Sequence, residues 1–427
     1  MRLKNSTKIV LSVVTAGILM IGCGGGSSSL SSSESTGTFV DSAVIGAHYK
    51  ASSGIEGETD SQGRFKYKRG DKVTFSLGNL ILGEATPAND GLITPKNIAD
   101  DNQTVVLMLQ LLQSLDSDGN VSNGITIDED AISLSEEKHI SDLNESELVE
   151  LAPQHLDEDG DGHLDVSADN AKKHMNESVY KWKKEHNEKN GNKNGFNFDD
   201  YLPSPNLTQE LKDSLAYMGN EERLAYDVYM NLYNSYQNNG TEIKQFYNIS
   251  TKSESKHISI VQSLVKRYDL NATDFTNVDE SIVNDNNMSA SNMPSGVYDI
   301  PAIQNLYNTL YTLGQSSEEN ALKVGCMVEV TDINDLDGYI TQADDSNATD
   351  IKAAFETLRN GSYNHYWAFD KALKNRGVTN GCYYEGDALL TNKEGIYPKN
   401  EKGQEEQKGS GNGKGNGQGN GKHKGGN

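Results

Sequence analysis

The sequence predicts a multi-domain chain: a small all-β, sandwich-like module followed by a C-terminal all-α four-helix bundle. Three observations lead there. Short alternating segments between about residues 37 and 85 are separated by tight-turn sequences. Four longer stretches between about 205 and 375 repeat apolar residues at alternating steps of three and four. The length, 427 residues, exceeds what one core usually serves. A formal charge of -24 argues against a nucleic-acid partner and points to cations.

The chain begins with Arg2, Lys4 and Lys8, then an apolar run over residues 9–21 that ends at Gly22-Cys23. This reads as a signal peptide over residues 1–23, too short to be a comfortable membrane span. Met20-Ile-Gly-Cys23 resembles a bacterial lipobox, with methionine where leucine is more usual. Processing would leave Cys23 as the lipidated first residue, the membrane partner being reached through its acyl chains. Residues 24–36 then form a Gly/Ser tether. Gly24, in place of an aspartate after the cysteine, fits an outer-membrane or cell-surface address in the envelope of a Gram-negative cell. Ordinary cleavage and secretion is the alternative.

Residues 37–100 are expected to form the β module. Arg64-Phe-Lys-Tyr67 and Lys72-Val-Thr-Phe-Ser76 alternate as strands do, and Asp60-Ser-Gln-Gly63, Arg69-Gly-Asp71 and Gly78-Asn79 supply turns. The segment from Gly57 to Tyr67 resembles a hairpin of transthyretin-like, carboxypeptidase-regulatory modules of bacterial surface proteins, which implies a spacer or adhesive role. Residues 101–170 begin with an apolar helical run, Val105 to Leu115, and continue into acidic loops. Asp157, Asp159 and Asp161 alternate before Gly162, with Asp165 beyond, as in the first half of an EF-hand loop. Ala168 stands where that loop needs a bidentate glutamate, so calcium here would need outside ligands. A solvated acidic turn is the alternative, as it is for Asp116, Asp118 and Asn120. Residues 171–204, rich in Lys, Asn and Glu, read as a linker with one short helix around Val179 to Glu185.

Residues 205–395 contain the four amphipathic stretches. Their stripes run Leu211, Leu215, Met218, Glu222, Ala225, Tyr229, Leu232, Tyr236; then Tyr247, Ser250, Glu254, His257, Val261, Leu264, Tyr268; then Leu322, Cys326, Glu329, Ile333, Leu336, Ile340; then Ile351, Phe355, Leu358, Ser362, His365, Phe369. Each stripe places a carboxylate or imidazole where a hydrophobe is expected, and Asp332 lies one turn from Glu329. Bundling would gather Glu222, Glu254, His257, Glu329, Asp332 and His365. Unpaired carboxylates in such a core cost several kcal/mol or take up protons, whereas a divalent cation offsets that cost. Glutamate from two helices with Glu-x-x-His from two others is the ligand plan of di-iron and di-manganese carboxylate bundles. Ser362 departs from that plan, standing where the second Glu-x-x-His needs its glutamate. Either Asp332 supplies the missing carboxylate or the site holds one metal. A hydrogen-bonded polar core is the plainer alternative for any single residue. Glu221 falls off the stripe and is expected in solvent. Tyr226, Tyr229 and Tyr363 are expected to pack, with electron transfer as the other possibility.

The runs Leu215-Ala-Tyr-Met-Gly-Asn-Glu-Glu-Arg-Leu-Ala-Tyr-Asp-Val-Tyr229, Phe246-Tyr-Asn-Ile-Ser-Thr-Lys-Ser-Glu-Ser-Lys-His257, Val324-Gly-Cys-Met-Val-Glu-Val-Thr-Asp-Ile-Asn-Asp-Leu336 and Gly361-Ser-Tyr-Asn-His-Tyr-Trp-Ala-Phe369 together resemble the ferritin-like DUF2202 domain over about residues 205–375. The resemblance implies a ferritin-like four-helix bundle with a metal site and leaves the activity open. In an exported protein Cys326 and Cys382 are free to form a disulfide; Cys326 as a small core residue with Cys382 free is the alternative. Residues 396–427 form a Gly, Asn, Lys and Gln tail with nothing to bury.

Two functions are therefore expected to compete. One is an envelope lipoprotein whose bundle holds one or two ions of iron or manganese for oxygen- or peroxide-linked chemistry or iron handling. The other is a surface protein whose bundle binds or only supports, without catalysis.

Overall fold

The computed structural model describes residues 34–128, 131–190, 196–205, 207–270, 294–298, 300–383 and 397–398. Cys23, the expected signal peptide and nearly all of the expected tail lie outside them. The N-terminal region is built of strands and the C-terminal region of helices.

Strands β1 (Glu34–Phe39), β2 (Val44–Ile45), β3 (His48–Ala51), β4 (Glu56–Glu58), β5 (Arg64–Lys68), β6 (Val73–Leu77), β7 (Leu80–Ala85), β8 (Leu92–Ile93), β9 (Ile125–Thr126) and β10 (Lys138–His139) form three sheets. Their orders are β5-β1-β8, β10-β7-β6-β3-β4 and β2-β9. Alternation along β3 and β5 sends Tyr49, Ala51, Phe65 and Tyr67 inward, where Phe65 meets Phe75 edge-on at 5.2 Å. The first strand begins at Glu34, inside the segment expected to be tether.

Short helices α1 (Pro95–Ile98), α3 (Glu145–Val149) and α4 (Pro153–Leu156) flank α2 (Asn102–Ser114). Asp101 caps α2 by accepting from the backbone N–H groups of Gln103 and Thr104. One core runs from Phe39 through Met108 and Leu111 to Leu164. The expected boundary near residue 100 therefore does not separate two cores, because α2 lays its apolar face on the sheets.

Much of the expected linker is a helix, α5 (Ala168–Asn190), which contains and extends the short helix expected around Val179 to Glu185. Ala171, Met175 and Val179 are fully buried, and four-residue spacing sets them in one narrow row. That row packs with Val40, Leu92, Val105 and Leu109, with Tyr201 and Leu202, and with Ala353 of the bundle. Overall polarity hid the row, since three small or flexible apolar residues suffice when the opposite face is solvated.

The helical domain comprises α6 (Gln209–Asn238), α7 (Lys244–Ile249), a π-helical turn (Ser250–Glu254), α8 (Ser255–Arg267), α9 (Pro301–Gly314), α10 (Glu318–Asp345) and α11 (Thr349–Asn375). Thr208 and Ser317 cap α6 and α10. Helix α6 packs on α8 and α10, and α11 packs on both of these, closing a ring. Cys326 and Cys382 form a disulfide, tying α10 to the chain beyond α11. Among the described residues no helix is long and apolar enough to cross a membrane.

Candidate metal centre

The apolar interior of the helical domain is divided in two, and the polar stripe positions fill the gap. On one side lie Leu211, Leu215, Met218, Val261, Leu264, Leu336, Ile340, Ile351, Phe355 and Leu358. On the other lie Val228, Tyr229, Leu232, Phe246, Ile249, Leu322, Cys326, Phe369 and Leu373. Each long helix thus runs apolar, polar, apolar, which is why the same periodicity that buries leucines also buries Glu222, Glu254, His257, Glu329, Asp332 and His365. All six are 8% exposed or less.

Glu254 stands at the middle. Its Oε2 lies 3.0 Å from His257 Nδ1, and its Oε1 lies 2.9 Å from His365 Nδ1. Glu222 Oε2 approaches His257 Nδ1 at 3.1 Å, and Glu329 Oε2 approaches His365 Nδ1 at 3.4 Å. Two groups able to hold a metal ion result, Glu222–Glu254–His257 and Glu254–Glu329–His365, each with its donor atoms within 4.8 Å of one another. The imidazole rings lie 5.5 Å apart, nearly parallel. Asp332 belongs to neither group; it shares the polar layer and accepts a hydrogen bond from Ser362 Oγ. The serine that replaces the expected glutamate therefore orients an aspartate from the neighbouring helix. Tyr229 donates to Glu329 Oε1 at 2.6 Å, so this tyrosine both packs and fixes a carboxylate.

Burial and pairing set the charge of the layer. Burial pushes Glu222 well above the carboxylate range, raises Glu329, and carries Asp332 up to about 8. Glu254 is the exception: burial opposes its charge, but His365 and His257 outweigh that and hold it low. Burial likewise opposes charge on the imidazoles, yet Glu222 and Glu254 raise His257 well above its usual value, and Glu254 and Glu329 bring His365 to about 10. Glu222 Oε1, Glu254 Oε1 and His365 Nδ1 are buried without a partner in hydrogen-bonding geometry. The last two face one another at 2.9 Å as an ion pair that is out of line for a hydrogen bond. Carboxylates outnumber imidazoles and buried oxygen atoms lack hydrogen-bond partners, an arrangement able to hold a cation. Donor atoms gathered within 4.8 Å of one another are close enough for each group to share one metal ion.

Three features of the site were not expected from sequence. Glu221 is buried rather than solvated, with Oε2 lacking a partner. Two consecutive buried acids mean that the polar layer reaches past the stripe onto the flank facing α10. The π-helical turn ends at Glu254 and inserts one residue into the helical count. Upstream of it Phe246 and Ile249 face the core, while Tyr247, expected on the stripe, is 45% exposed. Gly361 is the third: a Cβ there would lie 2.5 Å from His257 Cε1, so the imidazole rests against the backbone of α11.

The remaining acidic positions are less enclosed. Asp157, Asp159 and Asp161 bring donor oxygens together in a largely exposed loop. Asp165 does not join them; its Oδ2 accepts from the Glu158 backbone N–H. Asp116 and Asp118 accept hydrogen bonds from Thr126, Asn120 and Asn123 within their own loop. A separate cavity of about 550 Å³ opens between the β region and α5, lined in part by Ser42, Arg64, His174, Lys181 and Trp182, and none of the bundle's carboxylates reaches it.

Fold and site define a class: a β region followed by a helical domain whose core encloses carboxylates and imidazoles able to hold a metal ion. The family described as uncharacterized protein domain DUF2202 matches residues 211–389. The uncharacterized protein MJ0754 of Methanocaldococcus jannaschii is 36% identical over 176 residues, which are 41% of this chain and 82% of that protein. The chain belongs to the DUF2202 family. A crystal structure of hypothetical protein MJ0754 from Methanococcus jannaschii is similar at 32% identity, covering 48% of this chain and 95% of that one with a TM-score of 0.35. The matched segment contains all six residues of the polar layer.

Proposed function

We propose that the helical domain is a ferritin-like metal centre holding one or two ions of iron or manganese. The observation that carries this reading is Glu254, one carboxylate whose two oxygens each face a different imidazole, with Glu222 and Glu329 closing the two groups. His257 and His365 would supply nitrogen ligands, and Glu222, Glu254 and Glu329 oxygen ligands. Asp332, held by Ser362, is the reserve carboxylate for a second ion. Bound there, iron or manganese would supply redox and Lewis-acid chemistry toward oxygen or peroxide. The chain's own part is to exclude bulk water with the two apolar layers and to keep Glu329 in place through Tyr229. Mixed oxygen and imidazole donors without thiolate favour these metals over softer ones, since Cys326 is committed to its disulfide.

Two further expectations belong to the same reading. Calcium at Asp157, Asp159 and Asp161 is supported by their convergence. An envelope address with lipid on Cys23 is supported by the basic, apolar and Gly-Cys order of the first residues. The competing function is a surface protein whose bundle is stabilised by metal and turns nothing over. Metal analysis of the full chain purified without chelator, followed by peroxide consumption with ferrous iron, separates them. One or two bound ions with turnover are expected. Bound metal without turnover favours the structural role, and a chain that cannot be loaded with iron or manganese overturns the metal centre.

A further inference from the structure

One buried acid is left over by this centre. Glu221, 6% exposed, neighbours Glu222 in sequence but looks onto the seam between α6 and α10. Its Oε2 has no hydrogen-bond partner, Asp335 lies within hydrogen-bonding reach of its carboxyl, and Asp332 is close enough to act on it electrostatically. Asp332 and Asp335 are one turn apart on α10, with Tyr339 one turn farther; Tyr217 sits one turn before Glu221 on α6. Exposure is graded along this seam. Asp332 and Glu221 are buried, while Asp335, Tyr217 and Tyr339 are half-buried. Among the described residues no lysine, arginine or histidine forms an ion pair with Glu221, Asp332 or Asp335. Three acids thus lead from half-exposed to enclosed without an ion-paired cation among the described residues, and end at the polar layer.

We propose that Glu221 and Asp335 form a transit station through which a divalent cation reaches the centre. This rests on the reading of the polar layer as a metal centre. A divalent ion gives up its hydration water reluctantly, and successive carboxylates replace that water one ligand at a time. Asp335 meets the hydrated ion at the surface, Glu221 takes it with its free oxygen, and Asp332 delivers it inward. The station has oxygen donors only and lacks the imidazoles of the centre, so it holds the ion less firmly and releases it. No bond other than metal–ligand bonds is made or broken.

The test follows manganese uptake by the full chain, both the final number bound and the stopped-flow rate of loading. The variants are Glu221→Gln, Asp335→Asn and, as a control for the centre itself, Glu254→Gln. Glutamine keeps the shape and hydrogen-bonding capacity of a neutral acid, so a merely structural Glu221 predicts unchanged loading. The station predicts wild-type stoichiometry in Glu221→Gln and Asp335→Asn with loading slowed about tenfold or more, and lost stoichiometry only in Glu254→Gln. Loading within twofold of wild type in both station variants overturns the proposal and leaves the centre standing. Loss of stoichiometry in Glu221→Gln equal to that in Glu254→Gln also overturns it, by making Glu221 a ligand. If Glu221→Gln fails to fold, half-exposed Asp335→Asn decides alone. A wild-type chain that takes up no manganese overturns the centre and the station together.

Discussion

Glu254 and Gly361 show how single residues were or were not legible in the sequence. Glu254 could be picked out because a carboxylate on an apolar stripe is conspicuous. Gly361 could not, since a glycine in a helix carries no sign of what lies against it. Replacing Gly361 with alanine should favour α11 by about 1 kcal/mol in helix propensity. The added Cβ nevertheless collides with the His257 ring. The expected outcome is a metal affinity at least tenfold weaker despite unchanged helix content; unchanged affinity in a calorimetric titration would show that the ring has room to move. Asp41 lies in the β region, fully buried, with Gln113 Nε2 donating to its carboxyl at 3.0 Å. Burial pushes its pKa up to about 8 against an ordinary value of 3.8. The folded state therefore holds a proton that the unfolded chain releases. Its contribution to stability is whole below pH 4 and is lost as pH rises toward 8, at up to about 1.4 kcal/mol per pH unit. Asp41→Asn should flatten that slope in denaturant titrations at pH 5 and pH 8.

At the scale of elements, the stripes of α6, α10 and α11 were readable because an uninterrupted α-helix keeps one period, and every stripe position from Leu211 to Leu232 is buried. The second stretch was readable from Ser250 onward. The π-helical turn Ser250–Glu254 adds a residue, so counting back in threes and fours selects Tyr247 in place of Phe246. That extra residue lets Phe246 and Ile249 face one apolar layer while Glu254 and His257 face the polar one. Deleting exposed Lys252 should restore an α-helical count and turn Glu254 by about 100° relative to α7. Metal binding should fall at least a hundredfold while circular dichroism shows the helices intact; retained binding would mean that α8 sets the site without the turn. Helix α5 was legible only as a short helix around Val179 to Glu185, because its buried row is only one residue wide.

Across the whole molecule the order of a β region and a helical domain was legible from the change in hydrophobic period, whereas their junction was not. Helix α5 joins them: Ala171, Met175 and Val179 pack toward the β region and Ala353, and Tyr180 donates to Glu356 of α11 at 2.7 Å. The disulfide was one of two open readings, since spacing alone does not show that Cys326 and Cys382 meet. It closes a loop of 56 residues and should contribute about 4 kcal/mol by restricting the unfolded chain. Reduction or Cys382→Ser should lower the melting temperature of the helical domain by several degrees; an unchanged transition would mean that packing around Phe369 already fixes the end of the bundle.

Glu254 divides its two oxygens between two buried groups able to hold a cation. Crystals soaked in manganese, with anomalous scattering recorded at the manganese edge, test that capacity most directly. An anomalous peak is expected among Glu254, His257 and Glu222, or among Glu254, His365 and Glu329, with both peaks when two ions bind. An empty polar layer at saturating manganese, with both imidazoles still in direct contact with their carboxylates, would contradict it.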